Sequence, residues 1–313
     1  MTINNIVIFA ILVTLNAVFT RILLQNLNYY LMEKGIYGYD INKPNRPKIP
    51  EEGGLSITIS FTLSLLLYWY YFSFENIVPL LVTTPMICLL GFIDHFRNIK
   101  PYPKFFYTAV IGSIFTIYYI RMTPTNSLSY DIFLLLVIGV SYAILVNAYN
   151  LLAGFNGLES GVTIISCSTL ALFFFLKGNN AESGICILLL SGYFIFWLMN
   201  KYPAKIFVGD SGTLVPPSVF FGLGLLTGHF LPVVFVMIPH LLNIMIKYIS
   251  IGVKSRSDLK PLILKDGLLH FPDQKYYSLI RLFLINGPKH EKQIVYYVYA
   301  VELVCCISLL LIF

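Results

Sequence analysis

Asn147, Asn150 and Asn156 recur at intervals of three and six residues within NAYNLLAGFNGLESG, the longest polar interruption in a strongly apolar chain. A helix carrying the first two would present both carboxamides on one face. Gly154 and Gly157 would then break it and let the backbone approach a ligand. A second constellation is Gly209-Asp210-Ser211-Gly212, a carboxylate between glycines, of a type that serves metals or phosphates. Asp210 and Asn150 together offer two hard oxygen donors, the set that magnesium accepts beside substrate phosphates and water. A third is LLGFIDHFRNIKPYPK, in which helical spacing puts Asp94 and Asn98 on one face, His95 follows Asp94, and Lys104 returns after two prolines. An acid at the edge of an apolar run is costly unless it is used. Each group also has a structural reading: asparagine and glycine end helices, Asp210 can cap one, and boundary side chains snorkel.

The elements that must position these groups are membrane spans. The chain is 57% hydrophobic and 12% charged, with a mean hydropathy of +0.77, against about 25% charged residues in soluble domains. Runs near the length of a ~30 Å hydrocarbon core fall at 4–25, 54–74, 77–94, 105–121, 131–148, 161–177, 183–199, 213–229, 231–250 and 294–313. The expected fold is therefore an all-α polytopic membrane protein of about ten transmembrane helices. It forms a single integral membrane domain over residues 1–313. The first run lacks a basic leader and a small-x-small cleavage site, so it reads as a retained helix. The five cysteines lie in apolar runs without metal-ligand spacing and read as small core residues.

A net charge of +6 would suggest nucleic acid in a soluble chain, but here its placement carries the information. Loops after odd-numbered runs hold nearly all lysines and arginines, from Lys34 to Lys292, whereas loops after even-numbered runs hold Arg121 and Lys177. The positive-inside rule then puts the long polar loops in the cytoplasm and both termini outside. Every candidate residue lies on that one side, and no nucleic-acid partner is expected.

The first such loop, GYDINKPNRPKIPEEGG, is too rich in proline for a regular helix. Lys43, Arg46 and Lys48 are placed to meet phosphates or anionic headgroups, and Glu51 stands at the mouth of the second span. The last, 251–293, is the longest. Its ILK-DG-LLH core reads as a two-residue β-hairpin. YYSLIRLFLIN (276–286) has the spacing of a helix lying along the membrane surface. Arg256 and Lys260 precede the hairpin, free to reach a nucleotide sugar.

These motifs, in order and on one face, resemble the polyprenyl-phosphate N-acetylhexosamine-1-phosphate transferases, nearest to the UDP-GlcNAc:dolichyl-phosphate branch of eukaryotes and archaea. The resemblance covers nearly the whole chain. It implies transfer of GlcNAc-1-phosphate from UDP-GlcNAc to a dolichyl-type polyprenyl phosphate, with release of UMP, as the first membrane step of lipid-linked glycan assembly. It implies Mg2+, with Mn2+ as a substitute, ligated by Asn150 and Asp210. Lys104 matches a lysine beside the pyrophosphate, and Asp94, His95 and Asn98 fall in the catalytic acidic motif. Asn147, Asn156, Gly157 and Glu159 fall in a uridine-proximal loop, Arg256 where the N-acetyl sugar is met, and Glu51 at a polar position of the first loop. Relatives carry Asp-Asp where this chain has Asp94-His95. The active site would face the cytoplasm, at the endoplasmic reticulum in a eukaryote or at the cell membrane in a prokaryote; a homodimer is compatible with the resemblance.

Rival readings are a family member using another UDP-N-acetylhexosamine or undecaprenyl phosphate, a catalytically silent relative, and a membrane transporter. A transporter requires polar groups at mid-membrane depth and inverted repeats. Polar motifs at one face favour an enzyme acting on a lipid headgroup.

Overall fold

The computed structural model describes residues 3–123, 127–252, 261–272 and 276–313. Its helices are α1 (Ile3–Glu33), α2 (Gly54–Phe72), α3 (Val78–Arg97), α4 (Pro101–Met122), α5 (Leu128–Asn150), α6 (Leu158–Leu176), α7 (Asn180–Asn200), α8 (Asp210–Thr213), α9 (Val215–Thr227), α10 (Phe230–Ile251), α11 (Leu279–Leu282) and α12 (Glu291–Ile312). Two small antiparallel hairpins complete it: β1 (Tyr37–Tyr39) with β2 (Lys48–Pro50), and β3 (Ile263–Lys265) with β4 (Leu268–His270). Among the described residues nine helices are long and apolar enough to cross a membrane, and the chain is an integral, multipass, all-α membrane protein.

The apolar runs split into a packed stripe and a lipid-facing one. On α1, Leu12, Asn16, Thr20 and Leu24 recur every fourth residue and are buried, whereas Val7, Ile11, Leu15, Val18 and Ile22 are exposed. Within hydrocarbon a polar side chain is best satisfied by another helix. Asn16 donates to the Leu188 carbonyl (2.8 Å) and Ser191 Oγ (2.7 Å), and its own oxygen accepts from Ser60 Oγ (2.7 Å) and Ser64 Oγ (3.1 Å). One side chain thus joins α1, α2 and α7.

The eighth apolar run departs from expectation. It folds as the single turn α8 and the 13-residue α9, and α9 alone spans about 20 Å at 1.5 Å per residue, short of a ~30 Å hydrocarbon core. Pro216 and Pro217 explain the break, because neither can donate to the carbonyl four residues earlier. The Gly212 carbonyl so orphaned accepts the Tyr193 hydroxyl at 2.6 Å. Val215 to Gly224 are all buried, so α9 is a core element wrapped by the longer helices.

α8 reaches its place through two close approaches that only glycine permits. A Cβ on Gly54 would stand 2.2 Å from Gly212 Cα, and one on Gly91 would stand 2.4 Å from the carbonyl carbon of Asp210. The first turn of α8 is thereby wedged between the start of α2 and the end of α3.

The connections 34–53, 98–100, 151–157 and 201–209, with the described residues 261–272 and 276–290 of the last, gather at this same end. The first folds partly as a hairpin, with Tyr37 opposite Pro50 and Tyr39 opposite Lys48, a pairing that its proline content hides from the sequence. The Asp-Gly hairpin stands as expected: Asp266 (φ 52°) and Gly267 (φ 75°) both take the left-handed conformation such a turn requires. The surface helix expected over 276–286 does not form. α11 is one turn, and Leu279, Ile280 and Leu284 are buried with Leu269, Leu158 and Ile294 rather than laid on a membrane. Asn243 Oδ1 accepts the Leu279 N–H at 3.1 Å, fastening this segment to α10.

Gly91→Ala should lower stability by about 1–3 kcal/mol through overpacking against Asp210, read as a fall in thermal unfolding midpoint in detergent. An unchanged midpoint would contradict the wedge.

Candidate active site at the loop end of the bundle

Helix ends supply the central cluster. Asp94 lies in the last turn of α3, Lys104 in the first turn of α4, Asn150 closes α5 and Asp210 opens α8. The Lys104 ammonium bridges the two acids: it donates to Asp94 Oδ2 at 2.7 Å and pairs with Asp210 Oδ2. Asn150 Nδ2 donates to the same Asp210 oxygen at 3.1 Å, and Thr213 Oγ1 donates to Asn150 Oδ1 at 2.6 Å. The Ile99 N–H donates to Asp94 Oδ1 at 2.6 Å, so the turn between α3 and α4 orients that carboxylate. Lys104 is buried, whereas the Asp210 side chain is 26% exposed and so presents oxygen to whatever enters.

Beside this cluster stand Glu51, Glu52 and His95. His95 Nδ1 lies 3.5 Å from Glu52 Oε1 and 3.8 Å from Glu51 Oε2. The four acids Asp94, Asp210, Glu51 and Glu52 therefore meet at the junction of α2, α3 and α8. Carboxylates this close need counter-charge. Lys104 and His95 are the nearby candidates.

The oxygen-rich composition fits a hard cation of the magnesium type. Asp94 and Asp210 already converge on a positive group. As it stands, Asn150 turns its nitrogen to Asp210 and its oxygen to Thr213; a half-turn of the amide exchanges them and aims the oxygen at the Asp210 side.

The remaining expected residues occupy different surroundings. Asn147 donates to Thr108 Oγ1 (2.9 Å) and the Ala143 carbonyl (2.8 Å), one helical turn behind Asn150. Asn98 is exposed and ends α3 in a left-handed conformation (φ 47°). Asn156 is buried and bonded on three sides: its N–H donates to Glu291 Oε1 (2.9 Å), its Nδ2 to Asp40 Oδ2 (3.1 Å), and its Oδ1 accepts the Ala204 N–H (2.6 Å). Lys43 pairs with both Asp40 and Glu291 and lies over the Tyr202 ring. Glu159 Oε1 accepts the Gly154 N–H at 2.5 Å. Gly157 takes φ 84° and its carbonyl accepts the Tyr299 hydroxyl. Asn156, Gly157 and Glu159 thus act in the structure as joints of the loop after α5. Arg256 lies outside the described residues.

Sequence reasoning did not single out Thr213, Glu52 or Glu291. Thr213 follows Asp210 by three residues, the helical spacing that would have found it. Glu52 is adjacent to Glu51, and no periodicity distinguishes the two. Glu291 reaches Asn156 only through the tertiary fold.

Fold and site define a multipass membrane protein with a charged, oxygen-rich cluster at one end of its bundle. The model of glycosyl transferase family 4 matches residues 77–228, which contain Asp94, Lys104, Asn150 and Asp210. A Methanocaldococcus jannaschii protein provisionally described as a glycosyltransferase is 33% identical over 272 residues, covering 85% of each chain. A Saccharolobus solfataricus protein provisionally described as a UDP-N-acetylglucosamine–dolichyl-phosphate N-acetylglucosaminephosphotransferase is 30% identical over 281 residues, covering 85% of this chain and 84% of its own. A phospho-N-acetylmuramoyl-pentapeptide-transferase of Prochlorococcus marinus is 30% identical over 218 residues, covering 59% of this chain and 57% of its own. The chain belongs to glycosyl transferase family 4. Its class is that of the membrane enzymes that transfer a sugar 1-phosphate from a nucleotide sugar to a polyprenyl phosphate.

Asn156→Ala leaves the Ala204 N–H without its partner and Asp40 Oδ2 with one fewer in a buried setting while keeping the backbone bond to Glu291, which should cost about 1–3 kcal/mol. The expected readout is a lower unfolding midpoint in detergent; a raised KM for nucleotide sugar with an unchanged midpoint would instead make Asn156 a substrate contact.

Proposed function

We propose that this protein transfers GlcNAc-1-phosphate from UDP-GlcNAc to a dolichyl-type polyprenyl phosphate and releases UMP, opening lipid-linked glycan assembly. The observation that carries the reading is the convergence of Asp94, Lys104, Asn150 and Asp210 from four helix ends onto one point at the loop end of the bundle. A lipid phosphate confined to the headgroup layer and a water-borne nucleotide sugar meet at such an end. A mid-membrane transport site would lie elsewhere.

In this reading an oxygen of the acceptor phosphate attacks the β-phosphorus of UDP-GlcNAc. The bond from that phosphorus to the bridging oxygen breaks, and its electron pair leaves with UMP. The acceptor is a phosphate monoester, already largely dianionic near pH 7, so attack does not depend on a strong base. The work of the site is to position two anions and to stabilise charge as it moves to the leaving group, the dominant requirement in phosphoryl transfer. Lys104, fixed by both carboxylates, is the ammonium suited to that charge. Asp210 and Asn150, with its amide rotated, would hold Mg2+, which supplies Lewis-acid stabilisation of the diphosphate when bound. Asp94 keeps Lys104 in place. The identity with the S. solfataricus protein over most of both chains favours UDP-GlcNAc and a dolichyl-type acceptor. The asymmetry of lysine and arginine between alternate loops supports a cytoplasmic site.

Purified protein given UDP-GlcNAc and dolichyl phosphate should form GlcNAc-diphospho-lipid and UMP in equal amounts, detected by mass spectrometry. EDTA should stop the reaction and Mg2+ restore it, and Asp210→Ala and Asn150→Ala should each abolish it. In sealed inverted vesicles the donor should be used when added outside. Product formed instead from UDP-GalNAc or UDP-MurNAc-pentapeptide in parallel reactions would overturn the donor assignment, and EDTA-insensitive turnover would overturn the metal assignment.

A further inference from the structure

Glu52 is the most enclosed acid beside the site. Its residue is 1% exposed, and it takes a left-handed backbone conformation (φ 70°), a costly choice for glutamate. Strain of this kind persists only where the surroundings enforce it. Here they are the two peptide units that flank Asp210. Glu52 Oε2 accepts the N–H of Ser211 at 3.2 Å. On the other side a Cβ at Gly209 would stand 2.4 Å from the Glu52 carboxyl carbon, so the carboxylate packs flat on a backbone that only glycine leaves open. The second oxygen, Oε1, faces His95 Nδ1 at 3.5 Å. Neighbouring backbone bonds complete the clamp: the N–H groups of Gly53 and Gly54 donate to the carbonyls of Phe207 and Val208 at 2.9 Å each. The peptides just after Glu52 are thus tied to the strand of chain that leads into Asp210.

We infer that Glu52, backed by His95, is a positioning residue for Asp210: the Glu52–His95 pair grips the chain on either side of that aspartate and fixes where its carboxylate points. The inference rests on the reading of Asp210 as a metal ligand. Neither Glu52 nor His95 needs to touch substrate. Partners one step removed from a metal ligand typically govern metal affinity by 10–100-fold. Glu52→Gln preserves volume and an oxygen that can accept the Ser211 N–H, but it removes the charge that faces His95. His95→Gln removes the other half of the pair. Because each variant breaks the same contact, their effects should not add.

The test is Mn2+ binding to the detergent-solubilised protein without substrate, followed by electron paramagnetic resonance, for wild type, Glu52→Gln, His95→Gln, the double variant and Asp210→Asn. Folding is checked by the unfolding midpoint. Glu52→Gln and His95→Gln should each weaken binding roughly 10-fold or more, the double variant should be no weaker than the worse single variant, and Asp210→Asn should abolish binding. If Asp210→Asn binds Mn2+ like wild type, the metal assignment itself fails. If Asp210→Asn loses binding while His95→Gln or a folded Glu52→Gln binds like wild type, or if the two losses simply multiply, the positioning role is overturned. Should Glu52→Gln fail to fold, His95→Gln alone decides: a folded His95→Gln with wild-type affinity contradicts the inference.

Discussion

At the loop end of the bundle the carboxylates of Asp94 and Asp210 are pressed toward one another, and the ammonium of Lys104 lies between them. The pressing is done by apolar packing and by the absence of side chains at Gly54 and Gly91, which lets α8 slot between α2 and α3. Two like charges about 4 Å apart repel by about 4 kcal/mol at an effective dielectric constant near 20, so this packing alone would be unfavourable. Lys104 reverses the sign. The contact that closes the bundle end is also the one that concentrates charge there, and two acids against one ammonium leave the cluster negative overall. That net charge and oxygen content are of the kind a hard cation suits.

A second charged joint lies alongside. Asp40 from the first loop, Lys43 beside it, Asn156 after α5 and Glu291 at the start of α12 meet in one network. It ties together loops more than a hundred residues apart in sequence. The two networks share no residue. They divide the labour: Asp94, Asn150 and Asp210 stand partly exposed around the buried Lys104 at the loop end, while Asn156 and Glu291 hold the loops beside them. Farther inside, polar groups such as Asn16 serve helix packing.

The chemistry-bearing positions were legible in the sequence because a polar residue in a membrane span stands out against hydrocarbon. Asp94, Lys104, Asn150 and Asp210 were found this way and do converge. The helices were legible for the same reason, except where a run was interrupted: the proline pair at 216 and 217 shortens the eighth into α8 and α9, an effect that an apolar count does not register. The β1–β2 hairpin was hidden by prolines that sit between and at the ends of its strands. The apolar spacing of 276–286 suited a surface helix, but the same side chains satisfy a core pocket against α12. Asn156 and Glu159 were marked as substrate-proximal by the resemblance; what the sequence does not contain is the set of partners, Glu291, Asp40 and Gly154, that bond them in the fold. Glu52 was overlooked beside Glu51, and its significance comes from the chain 159 residues away that folds against it.

The central claim is that Lys104 is the counter-charge that lets Asp94 and Asp210 coexist, and a double-mutant cycle on folding tests it directly. Unfolding free energies would be measured for wild type, Lys104→Met, Asp210→Asn and the combined variant in one detergent. Removing the cation alone should be strongly destabilising, since it leaves the two carboxylates without their shared partner. Neutralising Asp210 as well should return part of that loss, so that the double variant is more stable than Lys104→Met, with a coupling energy of about 0.5–3 kcal/mol. Additive losses, or a double variant less stable than Lys104→Met, would contradict the account.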